Sequence, residues 1–488
     1  MDEIKDADQI KNEVLQKTAE YAFKNILAEK AEDIPFEIIS GIKPQFRCCV
    51  YREREIIRQR VRLSMGQLPR DAVYTELEPT QVVHVIPCAC EGCPIVRFTV
   101  TDNCQNCLTK KCIKSCAFGA ISATKKGAYI DKQLCKKCGK CVASCPYHAI
   151  VDIERPCKKS CPVDAIEIDE NDIAIIDSTK CINCGLCINN CPFGAISDVS
   201  MMTNVINTLL TNDNVYAMIA PAIEGQFGPD ASIGVIKNWI KKLGFKDVYE
   251  VALGADAVAY REAEELSENF KNGKKMTSSC CPSFVNLISK YYGNLVENIS
   301  TTISPMVATA RLIREKDPKA VTVFIGPCVT KKNEALSLYI KEVNYVITFE
   351  ELAAMFAGKN IDLSAGECDE NSATSYGKGF AKSGGVAAAV LKVLEEKGIN
   401  EDIKILNCNG IDECKKALLM LKAGRLKEDF IEGMSCVHGC LGGPVNLKAV
   451  NESRKTFDKY QKNQNDNILK NNVSKKLDTI DIHKVSKT

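Results

Sequence analysis

The sequence predicts an α/β catalytic domain of two lobes with parallel sheets. A smaller, cysteine-rich α+β region and a helical N-terminal segment precede it. Three observations predict this. Beyond about residue 200, short apolar runs alternate with amphipathic stretches, as parallel sheets covered on both faces require. Between residues 86 and 198 cysteines recur in a repeated spacing, and each repeat ends in a short apolar run. Before residue 85 charged residues interleave with apolar ones at helical spacing.

The chain has 488 residues, room for about three domains at ~150 residues each. Its 45% hydrophobic and 26% charged residues are ordinary for a soluble globular protein. A net charge of +2 gives no field that would argue for nucleic acid or an anionic membrane as partner. The longest apolar stretches, such as 215–223, fall far short of the ~18 residues of a membrane span. The opening MDEIKDADQIKNEV is acidic and polar, unlike a signal peptide. Twenty-seven cysteines at metal-cluster spacing, in a chain too long for a disulfide miniprotein, point to a reducing compartment, so a cytoplasmic location is expected. Four scattered histidines disfavour a zinc enzyme built on imidazoles.

Taken in order, residues 1–85 read as the helical segment, with Ile10, Val14 and Leu15 spaced as one helix face. Residues 86–198 form the cysteine region. Residues 199–450 carry the strand candidates VYAMIAPAI, VYEVALGA, VTVFIGP and IKILNCNG, interleaved with helices such as IGVIKNWIKKLG and a Glu-rich one. Residues 451–488 read as a polar, loosely held tail.

The cysteine region repeats imperfectly. Cys104, Cys107, Cys112 and Cys116 come first, then Cys135, Cys138, Cys141 and Cys145 before Pro146. A half motif follows, Cys157 and Cys161 before Pro162, and then Cys181, Cys184, Cys187 and Cys191 before Pro192. A tight loop presents three thiolates to one 4Fe–4S cube, while the fourth cysteine serves the neighbouring cube. The fourth cysteine, before Pro, is expected at a helix start. That rule groups Cys104, Cys107 and Cys112 with Cys145, Cys135, Cys138 and Cys141 with Cys116, and Cys181, Cys184 and Cys187 with Cys161. Cys157 and Cys191 remain for a fourth cube lacking two ligands. Cys88, Cys90 and Cys93, Cys48–Cys49 and His84 are the upstream candidates, so two to four accessory clusters are expected. For His84 a place in a polar strand, and for Cys48–Cys49 buried free thiols, are the preferred readings. Zinc sites usually stop at paired Cys-x2-Cys units, so the triple spacing favours iron–sulfur cubes. These segments resemble ferredoxin-like, bacterial dicluster domains.

Three later segments place cysteine beside Pro or Gly, where backbone can approach a cofactor: Thr277-Ser-Ser-Cys-Cys-Pro-Ser-Phe284, Gly326-Pro-Cys-Val-Thr-Lys-Lys-Asn-Glu334 and Glu432-Gly-Met-Ser-Cys-Val-His-Gly-Cys-Leu-Gly-Gly443. Together they resemble the signature loops of the iron–iron (diiron) hydrogenases, in the monomeric clostridial-type branch. The resemblance covers roughly residues 100–448. It implies interconversion of protons and electrons with dihydrogen, a ferredoxin-type electron carrier, and maturation proteins that install the cofactor. It implies an H-cluster whose cube is held by Cys281, Cys328, Cys436 and Cys440. Cys440 would bridge to a diiron subsite carrying carbon monoxide, cyanide and a dithiolate with a bridgehead amine. Lys331 would stabilise a cyanide beside Glu334, while Ser304, Pro327 and Met434 would line the pocket. Cys280 would be the proton donor, with Glu262, Ser300 and Glu265 as its relay. Alternative readings are a hydrogen sensor on the same scaffold and a non-catalytic iron–sulfur scaffold.

The sequence departs from that family at several points. Gly326 stands where Met is common, which leaves space beside the diiron site. Phe284 stands in place of Trp, Asn269 in place of the Arg that often closes the relay, and Leu441 and Pro444 alter the third loop. Cys368, Cys408 and Cys414 fit no ligand spacing and read as buried thiols. Gly384–Gly385 lacks the rest of a phosphate loop.

Overall fold

The computed structural model describes residues 6–70, 80–90, 93, 97–363, 373–462, 467–469 and 481–483. Helix Ala7–Phe23 opens on a capping box, Asp6 with Gln9, and buries Ile10, Val14 and Leu15. It lies against helix Val50–Ser64 and against helix Phe349–Gly358 of the later domain.

The cysteine region is a set of two-stranded sheets and one-turn helices. The apolar runs behind the motifs are strands Ile121–Thr124, Ile150–Asp152, Ile166–Ile168 and Ile196–Asp198. Strand Val83–Val85 pairs antiparallel with Ile196–Asp198, so this region begins slightly before residue 86. The fourth cysteines close helical turns rather than open them. Cys116, Cys145 and Cys161 cap the C-terminal ends of Lys111–Ser115, Lys140–Ser144 and Pro156–Ser160. Pro is suited to the position just past a helix end because it cannot continue the helix.

Beyond residue 200 two parallel sheets face one cavity. Strands Asp247–Glu250, Val215–Ile219, Val321–Gly326 and Tyr345–Thr348 lie side by side in that order. Strands Met276–Thr277, Phe430–Met434 and Ile405–Asn409 form the second sheet, also parallel. The stretch VYEVALGA is strand only to Glu250, and helix Val251–Lys271 begins directly after it. The segment read as a loose tail starts as helix Val450–Lys462, which buries Phe457 and Tyr460, and Ile468 and Ile482 are buried further on. Apolar burial therefore holds the described parts of it. Among the described residues no helix is long and apolar enough to cross a membrane.

A buried ionic node joins the three regions. The Lys332 ammonium lies 2.7 Å from Asp198 Oδ2, at the end of the cysteine region, and 2.9 Å from Glu351 Oε1. Lys11 of the first helix pairs with Glu350 at 2.6 Å. Both lysines of the Lys331–Lys332 pair are buried, not solvated.

Candidate active site

In parallel α/β sheets the crevice beyond the carboxyl ends of the strands is where ligands bind. Here both sheets turn those ends toward one cavity. Cys281 caps helix Pro282–Tyr291 just past strand Met276–Thr277. Cys328 follows strand Val321–Gly326, and Cys436 and Cys440 follow Phe430–Met434. All four line the cavity, with Cys280, Lys331, Pro327 and Met434. Its volume is about 100 Å³ on a measure where one water needs roughly 10–15 Å³, so it takes a group of many atoms rather than one ion.

The donor set fits an iron–sulfur cofactor. Burial pushes the Cys440 thiol up to about 12 and raises Cys328 and Cys436 as well. Buried thiolates crowded together need a metal to ionise them. Among the described residues, Ser304 Oγ is buried without a protein partner at the start of helix Pro305–Lys316. The Lys331 ammonium lies 2.7 Å from Glu334 Oε2 and donates to the Cys280 carbonyl oxygen at 3.3 Å. Burial, the largest single influence, works to discharge it, but the Glu334 carboxylate together with the neighbouring Cys328 and Cys280 leaves its pKa above the usual lysine value. Cys280 is buried, and burial first, then the charges of Glu262 and Cys281, hold its thiol well above the ordinary value.

A polar chain leads away from Cys280. The neighbouring Ser279 amide donates to Glu262 Oε1 at 3.2 Å. The Ser279 and Thr302 hydroxyls lie 3.0 Å apart, and those of Thr302 and Ser300 2.8 Å. Ser300 donates to Glu265 Oε2 at 2.7 Å, and the exposed Thr301 amide reaches the same carboxylate. Glu262 is fully buried and Glu265 half-buried on one face of helix Val251–Lys271. Sequence reasoning missed Ser279 and Thr302. Thr302 stands two residues from Ser300, a spacing that puts both side chains on one face of an extended segment, and that signal was available.

The departures take physical form. The space that Gly326 leaves is filled by the Phe324 ring, since a Cβ on Gly326 would lie 2.5 Å from Phe324 Cε1. Pro444 packs against Gly185, where a Cβ would meet its Cγ at 2.9 Å. Asn269 Nδ2 faces Met276 Sδ at 3.3 Å. The amides of Gly384 and Ala387 donate to Glu432, which takes the place a phosphate would need. Cys408 and Cys414 are buried, Cys48 is exposed, and Cys368 lies outside the described residues. His84 is buried in strand Val83–Val85, its Nε2 3.1 Å from the Gln81 carbonyl oxygen.

The cysteine runs lead to this cavity. Cys116, Cys135, Cys138 and Cys141 surround one small void. Cys112 and Cys145 pack against the same apolar cluster as Cys116, Cys135 and Cys141. Burial pushes the Cys184 thiol up to about 12 and the Cys187 thiol well above its ordinary value, and Cys181 and Cys161 nearby add to both. Cys184 also lines the cavity between the two sheets. Its loop is pinned there: Thr330 Oγ1 donates to the Asn183 carbonyl oxygen at 2.9 Å and Lys290 Nζ to that of Cys181 at 3.0 Å.

Residues 213–444 match the family described as the iron only hydrogenase large subunit, C-terminal domain. Residues 151–202 match the LdpA Fe-S cluster-binding domain, and 128–150 a 4Fe-4S binding domain. The chain belongs to the iron-only hydrogenase family. Among particular relatives, it is 30% identical over 276 residues to iron hydrogenase 1 of Clostridium pasteurianum, covering 47% of this chain and 48% of that protein. It is 30% identical over 282 residues to the periplasmic Fe hydrogenase large subunit of Nitratidesulfovibrio vulgaris, covering 46% and 67%. A probable cytosolic Fe-S cluster assembly factor of Aedes aegypti is 24% identical over 276 residues, covering 45% and 58%. The chain spans about half the length of the clostridial relative. FeFe-hydrogenase HydA1 from Chlamydomonas reinhardtii aligns at TM-score 0.49 and 22% identity, over 57% of this chain and 94% of that one, too loosely to carry an argument.

Proposed function

We propose that this chain is an iron–iron hydrogenase that interconverts protons and electrons with dihydrogen and exchanges electrons with an external ferredoxin-type carrier. One observation carries the reading. A single buried cavity combines four cysteines able to hold a cube, a fifth cysteine beside them kept protonated, and a lysine kept charged by Glu334. When bound, the H-cluster, a cube joined to a diiron subsite with carbon monoxide, cyanide and a bridging dithiolate, supplies the metal chemistry that makes or breaks the H–H bond. Maturation proteins would install that subsite.

The chain's own residues bind, exclude water and move protons. Cys281, Cys328, Cys436 and Cys440 are the ligands of the cube. The Lys331 ammonium offers a charge-assisted hydrogen bond to an anionic ligand in a dry pocket, where such a bond is strong. Ser304 offers its unpartnered hydroxyl, and Pro327 and Met434 supply apolar wall. Cys280 hands protons to the cofactor as a general acid and is recharged through Glu262, Ser300 and Glu265, with Ser279 and Thr302 as linking hydroxyls.

An electron carrier is supported by charge. Residues 101–148 hold nine lysines against two aspartates, a surplus of seven positive charges in a chain whose net charge is +2. All nine are exposed, as are Leu108, Phe118, Tyr129, Leu134 and Tyr147. Exposed lysines interspersed with exposed apolar side chains suit an acidic redox protein.

The assembly-factor relatives favour a second reading, a non-catalytic iron–sulfur scaffold. Such a protein has no use for Cys280, Lys331 and Glu334 together. Protein matured with the diiron cofactor should evolve dihydrogen from a reduced dye. Matured protein that shows bound carbon monoxide and cyanide yet evolves no gas overturns the proposal.

A further inference from the structure

The cysteine region is built twice on one plan. In residues 97–153 strand Phe98–Val100 pairs antiparallel with Ile150–Asp152, and the hairpin Ile121–Thr124 with Gly127–Ile130 lies between them in sequence. Around that stretch, Val83–Val85 pairs antiparallel with Ile196–Asp198, and the hairpin Ile166–Ile168 with Ala174–Ile176 holds the same place. Each plan therefore runs strand, cysteine pair, helical turn, hairpin, helical turn, strand.

Hydrogen bonds to sulfur and to cysteine carbonyls fix the correspondence residue by residue. The Ala128 amide donates to Cys104 Sγ at 3.4 Å, and the Ala174 amide to Cys90 Sγ at 3.4 Å. Both donors stand on the second strand of their hairpin, so Cys90 occupies the place of Cys104. The hydroxyls of Ser115, Ser144 and Ser160 donate to the carbonyl oxygens of Cys112, Cys141 and Cys157 at 2.9, 3.1 and 3.0 Å. Cys157 is thus a third cysteine of its run. The fourth cysteines, Cys116, Cys145, Cys161 and Cys191, each accept from the amide four residues on, at 3.2–3.4 Å. Cys93 follows Cys90 at the spacing by which Cys107 follows Cys104.

The half motif at Cys157 is therefore a full motif whose first two cysteines stand upstream of residues 94–156. The ends of the intervening stretch meet: the Ile153 amide donates to the Arg97 carbonyl oxygen at 2.6 Å, and Arg97 Nε lies 2.8 Å from Asp152 Oδ1. Close termini are what allow one domain to be inserted in another. The inner run also carries its extra length between second and third cysteines, four residues where the other runs have two. That gap is where the ligand loop tolerates insertion.

We propose that Cys90, Cys93, Cys157 and Cys191 hold a further 4Fe–4S cube, completing an outer two-cluster module into whose first ligand loop an entire inner two-cluster module, residues 97–153, is inserted. Cys191 enters by the rule that the fourth cysteine of one run serves the neighbouring cube. Cys157 is buried in one packed cluster, with Cys90 and Cys191 against it. Arg155, buried between the modules, places a cation beside Cys90 and Cys93, as an anionic cluster favours. Cys88 has no counterpart in the inner module and is excluded from the set.

The inference concerns cluster ligation and stands apart from the reaction at the diiron subsite. It is tested on the full chain, loaded with iron and sulfide under anaerobic conditions without the diiron cofactor. The double variant Cys90→Ser/Cys93→Ser should lose about four iron atoms per chain, one cube, while Cys88→Ser loses none. Adding Cys157→Ser to the double variant should remove no more. An unchanged iron count in the double variant, or a further cube lost with Cys157→Ser, overturns the assignment. In unsubstituted protein, mass-spectrometric mapping of alkylated cysteines should find Cys90 and Cys93 protected until iron is chelated, with the exposed Cys48 reacting throughout. Ready alkylation of Cys90 and Cys93 in the loaded protein contradicts it without any substitution.

Discussion

The cysteine region and the cavity between the two parallel sheets gather thiols by opposite means. In the first, a turn of chain presents several cysteines at once, and antiparallel ribbons only join the turns. In the second, each loop brings one or two cysteines to the end of a strand, and two parallel sheets must be aligned before the four meet. The first arrangement tolerates interruption, as the stretch between Cys93 and Cys157 illustrates. The second does not, because its geometry belongs to the whole fold. On the proposed function, electron transfer would ask only that clusters lie near one another, whereas the cavity would also have to exclude water and position a proton donor.

The sharpest way to break this contrast is Cys280→Ala. It should lower dihydrogen turnover by about 10²–10⁴-fold and leave iron content unchanged, which a coupled gas and iron assay reads. Next comes Lys332→Met, which strands Asp198 and Glu351 in the interior. Leaving a buried charge unpaired costs about 3–5 kcal/mol, so the denaturation midpoint of the loaded protein should fall clearly. An unchanged midpoint would show that the ionic node does not tie the cysteine region to the catalytic domain. Reversing Lys136, Lys137 and Lys140 to Glu should slow electron exchange with an acidic carrier by about tenfold at low salt. The rate with a small neutral dye should stay as it was, and equal slowing of both would show that these lysines do not dock the carrier. The smallest effect is expected for Thr302→Val, which breaks the hydroxyl chain but leaves Glu262: a loss of less than about tenfold, with a larger solvent isotope effect. An unchanged isotope effect would leave Thr302 a packing residue.

What was legible in the sequence follows the same division. The cysteine runs and the strands after them are local patterns, and the structure places those strands where the runs end. Strands Val215–Ile219 and Val321–Gly326 were legible as apolar runs. Strand Phe430–Met434 was not, because Glu432 and Gly433 read as loop, and Glu432 is tolerated there only by capping the helix at Gly385. Cys90 and Cys93 could not be assigned, since their partner Cys157 lies beyond an inserted module. The partners of Lys332, Asp198 and Glu351, were not legible because they are remote in sequence. The filling of the Gly326 gap by Phe324 was within reach, because residues two apart on a strand share a face.

On the proposed function, Cys281, Cys328, Cys436 and Cys440 hold one cofactor whose diiron part lies beside Cys280 and Lys331. Infrared absorption of protein matured with the diiron cofactor should then show carbon monoxide and cyanide bands, with the cyanide bands shifting in Lys331→Met. A matured protein with its cubes loaded and no such bands would refute the shared cofactor.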